Sequence, residues 1–490
     1  MGPLKLCVLS SEILPYAKTG GLADVAGALI GNLGRIGHDV RAFMPLYPIV
    51  RRNHTALAPV REVQQVSVAV GPVEYEFSLH STRYPGGADI PVYFVDCPAL
   101  FDRPALYTTD PDEHRRFILF TRAALESCKR LGFGPHIFHC NDWHTALLPL
   151  YLKTLYAGDA VLGQAKSVMT IHNIGYQGWI PSSAVADLGL SMAWTQLDQT
   201  DLARGGINPL KTGLKFADCV TTVSPTYARE ICDSPLGMGL EGALRARTDR
   251  VVGILNGVDY DDWDPRHDPH LSTHFSPQDL RGKITNKEVL IGATRLKVDR
   301  ATPLIGMVSR LAEQKGIDLL FDALPAALND HPFGLVVLGS GEARYEQFFH
   351  DLAARFRGRV AFTAGYDEPM AHLIEAGSDM FLMPSRYEPC GLNQMYSLRF
   401  GTIPVVRNTG GLADSVQHFD PESGQGTGCV FNDFDAPAVR WALRTVLGWF
   451  AEPPLWQRLM QNAMAKDFSW ERQIGEYDRL YRGLVQNAKP

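Results

Sequence analysis

The apolar positions of this chain fall into short continuous runs separated by stretches of helical spacing. Leu4–Ser10 is such a run. Val25, Ala28, Leu29 and Leu33 then recur at three- and four-residue steps, Gly37-His38-Asp39 interrupts them, and Val40–Met44 is apolar again. A strand that is apolar on both faces, followed by an amphipathic crossover helix, belongs to a parallel sheet covered on both sides. The pattern is less regular next. Gln64–Val70 alternates like a half-exposed strand, Glu74–Leu79 is expected to pair with it, and Pro91–Val95 is apolar. The parallel pattern then resumes with strands Ile137–Asn141, Ser167–His172, Cys219–Val223 and Val251–Leu255, and with helices from about Thr145 and from Pro225.

The second half predicts five strands: Leu304–Ser309, Gly334–Leu338, Val360–Ala364, Met380–Met383 and Ile403–Val406. Helices Gly316–Asn329, Glu342–Phe356, Glu368–Ala376 and Asn393–Phe400 lie between them. This is a doubly wound α/β pattern. The stretch from Asn256 to Thr302 is rich in Asp, Pro and His and shows no strong periodicity, so it marks the boundary. A last helix near Glu471–Val485 has no strand after it and is expected to pack back on the first half. The predicted division is residues 1–255, with the 470–490 helix, and residues 256–469.

Composition narrows the function classes. The 490 residues are 45% apolar and 20% charged, as in a globular chain and unlike a disordered or fibrous one. Forty-seven basic residues against 53 acidic ones give a net charge of −6, which predicts neither a nucleic-acid nor a membrane partner. The eight cysteines form no CxxC pair and read as reduced thiols of a cytoplasmic protein. No apolar run is long enough for a bilayer. The start Met1-Gly2-Pro3-Leu4-Lys5 carries no cleavage-site pattern, and Leu6 stands where myristoylation needs Ser or Thr.

One hexapeptide occurs twice. Thr19–Asp24 and Thr409–Asp414 both read TGGLAD, each between a strand and a helix. A Gly-Gly turn at a helix start leaves backbone N–H groups for an anion, so each half is expected to offer a phosphate seat. Lys18 precedes the first copy and would neutralise such a phosphate. Arg310 and Lys315 follow strand Leu304–Ser309, where open α/β sheets bind ligands, and two cations there would stabilise a departing diphosphate. Glu388, in Pro384–Leu392, offers two acceptor oxygens to sugar hydroxyls, or else a partner to Arg386. The Gly391 and Leu392 amides open the next helix.

His172 and Asn173 end one strand, and Asp142 and His144 end its neighbour. His136 and His139 raise the question of a metal, but strand alternation prevents these groups from converging. The pairs Asp110/Asp112, Asp259/Asp261 and Asp433/Asp435 read as turn residues. There is no GxGxxG after the first strand, no GxxxxGK[ST] and no GxSxG, which argues against a dinucleotide cofactor, a P-loop and a serine nucleophile elbow.

Taken in order, these segments resemble the bacterial glycogen synthases and plant starch synthases. They are Lys18–Leu22, Asn141–His144, Ile171–Asn173, Val223–Glu230, Asn256–Asp259, Arg310 with Lys315-Gly316, Glu388–Leu392 and Thr409–Leu412. The resemblance implies the GT-B fold, two Rossmann-like domains with a cleft between them. It implies transfer of glucose from ADP-glucose to the non-reducing end of an α-1,4-glucan (glycogen), with retention and with neither metal nor cofactor. It assigns Glu388, His172, Lys315, Arg310 and Asp142 to catalysis. It assigns Lys18, Gly20, Gly21, Asp24, Asn173, Asn256, Tyr366, Cys390, Gly391, Leu392, Thr409 and Gly410 to substrate binding, with Tyr366 near the adenine and the His172 carbonyl near the anomeric carbon.

The inventory agrees with that chemistry. Retaining glycosidases use two close carboxylates, and no such pair is found in these motifs beside Glu388. That favours a reaction in which the leaving diphosphate takes the proton of the incoming hydroxyl, with domain closure excluding water. Two positions depart from related patterns. Tyr396 stands where many retaining relatives carry a second Glu, a loss shared by bacterial glycogen synthases, and Asn393 stands where Thr is usual. Two other readings compete: a GT-B transferase using UDP-glucose or a small acceptor, and a silent glucan-binding protein of the same fold.

Overall fold

The computed structural model describes residues 2–54, 56–86, 88–190, 194–247 and 251–486. The chain divides into two compact units. One comprises Met1–Val223, Ala228–Gly257 and Trp470–Pro490; the other comprises Ser224–Tyr227 and Val258–Ser469.

The first unit is built on a ten-stranded sheet. Its parallel part runs Val251–Gly253, Cys219–Thr222, Lys166–Ile171, Ile137–Asn141, Lys5–Leu9, Asp39–Pro45 and Pro91–Asp96 in spatial order. Antiparallel Val73–Arg83 continues the sheet and pairs with Val66–Val70, as the alternation there predicts. The inner strands are buried on both faces, which is why they read as unbroken apolar runs. Helix Glu113–Arg130, absent from the sequence reading, buries Phe117, Phe120, Ala124 and Cys128 together with His114 and Arg116. Arg116 is fully enclosed and donates to the Leu100 and Leu106 carbonyls at 2.9 and 3.0 Å and to Glu113 at 2.8 Å. The helix expected from Thr145 is a 3-10 turn, Trp143–Thr145, followed by helix Leu148–Lys153. The last helix, Trp470–Gln486, lies against helix Gly21–Arg35. His38 meets Asp478 at 2.9 Å, and His139 meets the Tyr481 hydroxyl at 2.5 Å.

The second unit has a six-stranded parallel sheet. The order is Val360–Ala364, Gly334–Gly339, Leu304–Val308, Met380–Met383, Ile403–Arg407 and Cys429–Phe431. In order of appearance that is 3-2-1-4-5-6, the doubly wound arrangement. Cys429–Phe431 and helices Ala436–Phe450 and Pro453–Met464 add to the elements read from the sequence. The boundary stretch, expected to be irregular, contains helix Arg281–Ala293. Its buried face carries Lys283, Asn286 and Lys287, so no apolar stripe betrays it. Lys287 pairs with Asp379 at 2.6 Å, and Lys283 donates to Thr402 at 2.7 Å. Burial pushes Lys283 down to about 7 and the neighbouring Glu375 carboxyl up to about 8.

Candidate active site

In a doubly wound sheet, ligands bind beyond the carboxyl ends of the strands where the strand order reverses. In the second unit that point lies between Leu304–Val308 and Met380–Met383. The loops that leave these two strands carry Arg310 with Lys315, and Glu388. Lys315 Nζ donates to Glu388 Oε2 at 2.6 Å, and the Ser385 hydroxyl donates to the same oxygen at 2.9 Å. The Arg386 N–H donates to the Gln314 carbonyl at 2.9 Å, fastening the loops along their backbones. Gly316 makes the approach possible: its φ is +70°, and a Cβ there would lie 2.0 Å from the Pro384 carbonyl oxygen. The alternative partner for Glu388 is thereby corrected, since Arg386 reaches Glu313 at 3.3 Å. Arg310 is exposed and touches Gln314 at 3.5 Å.

The second TGGLAD copy packs beneath Glu388. A Cβ on Gly410 would lie 1.9 Å from the Glu388 carbonyl oxygen, and one on Gly411 would lie 2.1 Å from that of Cys390. The Gly411 N–H donates to the Glu388 carbonyl at 3.0 Å. These glycines let two backbones meet. Thr409 and Cys390 are buried with them, and Gly391 (φ +71°) and Leu392 are half-buried. Asn393, the departure from Thr, donates to the Val308 carbonyl at 2.7 Å. Tyr396 stacks on Trp263 with centroids 3.9 Å apart and planes 4° apart. Tyr366 follows the edge strand Val360–Ala364 and is 61% exposed.

In the first unit the strand order reverses between Lys5–Leu9 and Ile137–Asn141. The loop after the former contains Lys18, whose Nζ donates to Asp24 at 2.7 Å. The amides of this turn have a partner within the chain. The N–H groups of Thr19 and Gly20 donate to the Glu12 carboxylate, Gly20 at 3.3 Å. Glu12 also accepts the Thr19 hydroxyl at 2.8 Å and the Tyr107 hydroxyl at 2.7 Å. An acid of the chain itself thus sits at the helix start, ahead of Gly21. Sequence reasoning missed Glu12. Its only signal is a lone acid two residues past an apolar strand.

Asp142 has φ +54° and ψ −176°, a conformation that non-glycine residues adopt at a cost of about 1–3 kcal/mol. It thereby turns its carboxylate onto the neighbouring strand end, accepting the N–H groups of His172 at 2.7 Å and Asn173 at 3.4 Å. Burial raises its carboxyl to about 7, partly offset by those two N–H groups, with Glu12 adding to the rise. His172 Nε2 meets the Asn141 amide oxygen at 2.8 Å, and burial lowers the imidazole to about 3, leaving it neutral. Asn256, in the same unit, is buried, and its Oδ1 has no hydrogen-bond partner among the described residues.

The other candidates disperse. His136 accepts the Lys5 N–H at 2.9 Å, His139 bonds Thr170 at 2.6 Å, and His144 stacks on Tyr107. Asp110 and Asp112 both pair with Arg103, Asp259 accepts the Asp261 N–H, and Asp435 caps helix Ala436–Phe450. All eight cysteines are free. Among the described residues no helix is long and apolar enough to cross a membrane.

Comparisons with known proteins converge on one class. A family described as starch synthase catalytic domain matches residues 5–246, and one described as glycosyl transferases group 1 matches residues 294–463. A glycogen synthase of Koribacter versatilis is 44% identical over 99% of both chains. One of Anaeromyxobacter dehalogenans is 45% identical over 98% of this chain and 100% of its own. The catalytic domain of starch synthase IV from Arabidopsis thaliana, bound to ADP and acarbose, superposes with a TM-score of 0.90 at 33% identity. That match covers 99% of this chain and 100% of the other.

Proposed function

The chain belongs to the glycogen synthase and starch synthase family of GT-B glycosyltransferases, and from that premise we propose how its residues perform the transfer. A glucosyl group passes from ADP-glucose to the non-reducing-end hydroxyl of an α-1,4-glucan. The bond from the anomeric carbon to the diphosphate breaks, and the bond to the glucan oxygen forms on the same face. The proton of that hydroxyl goes to the departing diphosphate. The observation that carries this reading is the Lys315–Glu388 pair at the strand-order reversal of the second unit.

Arg310 and Lys315 meet the diphosphate and stabilise its growing charge. Glu388, held by Lys315 and Ser385, accepts hydroxyls of the transferred glucose. Gly391, Leu392, Thr409 and Gly410 line the nucleotide and phosphate pocket, and Tyr366 offers its exposed ring to the adenine. Lys18, Gly20, Gly21 and Asp24 serve the diphosphate and glucose from the first unit. Neutral His172 hydrogen-bonds the sugar, beside Asp142 and Asn173.

The test is transfer of labelled glucose to glycogen from ADP-glucose and from UDP-glucose in parallel, with EDTA present. Transfer from ADP-glucose alone is expected. A preference for UDP-glucose would correct the donor. Glycogen binding without transfer from either donor would overturn the reading.

A further inference from the structure

In the second unit, three side chains converge from distant parts of the sequence. Asp262 and His270 belong to the segment that enters this unit, and His372 lies on helix Glu368–Gly377. One ligand atom of each lies within 4.8 Å of the other two. His372 is fully buried, and its ring stacks on Trp263 at 3.6 Å.

Its two nitrogens face different surroundings. Nδ1 meets Asp268 Oδ2 at 2.7 Å. A carboxylate there holds the proton on Nδ1 and directs the Nε2 lone pair outward. Yet Nε2 is buried with no hydrogen-bond partner. Such an orphan is rare in a folded core. Asp268 also accepts the backbone N–H of His270 through its other oxygen, at 2.8 Å. One buried carboxylate therefore orients the His372 imidazole, as outer-sphere carboxylates do around metal-bound imidazole, and fastens the backbone that carries His270.

We propose that Asp262, His270 and His372 bind a divalent transition-metal ion of the zinc type, with Asp268 positioning the His372 imidazole. Two imidazole nitrogens and one carboxylate oxygen suit zinc better than magnesium or calcium, which prefer all-oxygen shells. Ligands at zinc bond lengths stand about 3.4 Å apart in a tetrahedron. His270 is exposed and free to close that gap, and a water would complete the shell. The ion would clamp the 258–275 segment to helix Glu368–Gly377. Through the Trp263–Tyr396 stack it would also brace helix Asn393–Arg399, which starts five residues after Glu388. Its role is structural, since none of its ligands belongs to the transfer set.

Metal analysis of the full-length protein, incubated with zinc and desalted, tests this. About one zinc per chain is expected. His270→Ala, a change at an exposed side chain, and Asp262→Asn should each lose it. Removing the ion from the wild type should lower Tm by about 5 °C or more, restored by zinc or cobalt and not by magnesium. The cobalt-loaded protein should show the visible absorption of four-coordinate Co2+. Equal zinc in wild type and His270→Ala would place the ion elsewhere and overturn the proposal. So would a zinc-free wild type whose Tm ignores chelation.

Discussion

Lys315 Nζ lies 2.6 Å from Glu388 Oε2, a bond between candidate site groups on the loops that leave the first and fourth strands of the second unit. The pair is mostly enclosed, with 18% and 6% of the two side chains exposed. If Lys315 carries diphosphate charge, Lys315→Ala should lower kcat by about 10²–10³-fold. Glu388→Gln keeps the shape of the acceptor and should fold like the wild type while losing transfer. Activity assays beside thermal melts separate the roles. Full transfer in Lys315→Ala or Glu388→Ala would remove both from the site, and full transfer in Lys18→Ala would do the same for that lysine.

The two Gly-Gly turns should respond differently to alanine. At Gly411 the new Cβ meets Cys390 backbone at 2.1–2.6 Å, so the loop bearing Glu388 must move. Gly411→Ala should lower stability by about 1–3 kcal/mol and depress transfer with it. Nothing lies within 4 Å of a Cβ at Gly20, whose φ of −157° any residue adopts. Gly20→Ala should melt like the wild type, and a raised KM for donor would then report substrate approaching that backbone. An unchanged KM would take Gly20 out of the binding set.

Glu12 satisfies two amides and two hydroxyls at the start of helix Gly21–Arg35. Glu12→Ala leaves these donors without their acceptor and should cost about 2–4 kcal/mol, read as a shift in denaturant midpoint. Transfer should fall too, because the Lys18 loop hangs from this carboxylate. A loss of transfer with no loss of stability would instead make Glu12 a group that touches substrate.

Asp142 carries a pH signature. Its folded carboxyl titrates near 7, against about 3.9 unfolded. Between these values the folded protein binds the extra proton. The associated stability is therefore fully present below about pH 4 and is lost as the pH rises to about 7. Asp142→Asn keeps an oxygen for the His172 N–H and removes the titration. The stability of the wild type relative to this variant should decline from pH 5 to pH 8, by an amount on the order of a few kcal/mol. A difference that stays flat over that range would contradict the assigned burial.

His172 is expected to stay neutral. Histidine NMR signals followed from pH 5 to pH 8 should include one, absent in His172→Gln, that does not titrate. A midpoint near 6.5 would show that water reaches the ring.

The sequence alone determined the succession of parallel strands, because strands buried on both faces must be apolar throughout. It also placed the candidate chemistry at the ends of those strands. Arg310 with Lys315, Glu388, and Asp142 with His172 could be named because charged groups directly after a buried strand have few structural uses. The tertiary structure alone decided which groups meet. Nothing local says that Glu388 takes Lys315 rather than Arg386, or that Glu12 fills the amide turn at Gly20. Helix Arg281–Ala293 was illegible because lysines and an asparagine occupy its buried face, and their partners come from Asp379, Ala376, Thr402 and Thr273. His270 and His372 look like two unremarkable histidines until the fold brings them together across a hundred residues. Hydrophobic periodicity records how much of an element is buried. Polar pairing depends on contacts between residues far apart in the chain, and only the folded backbone specifies those.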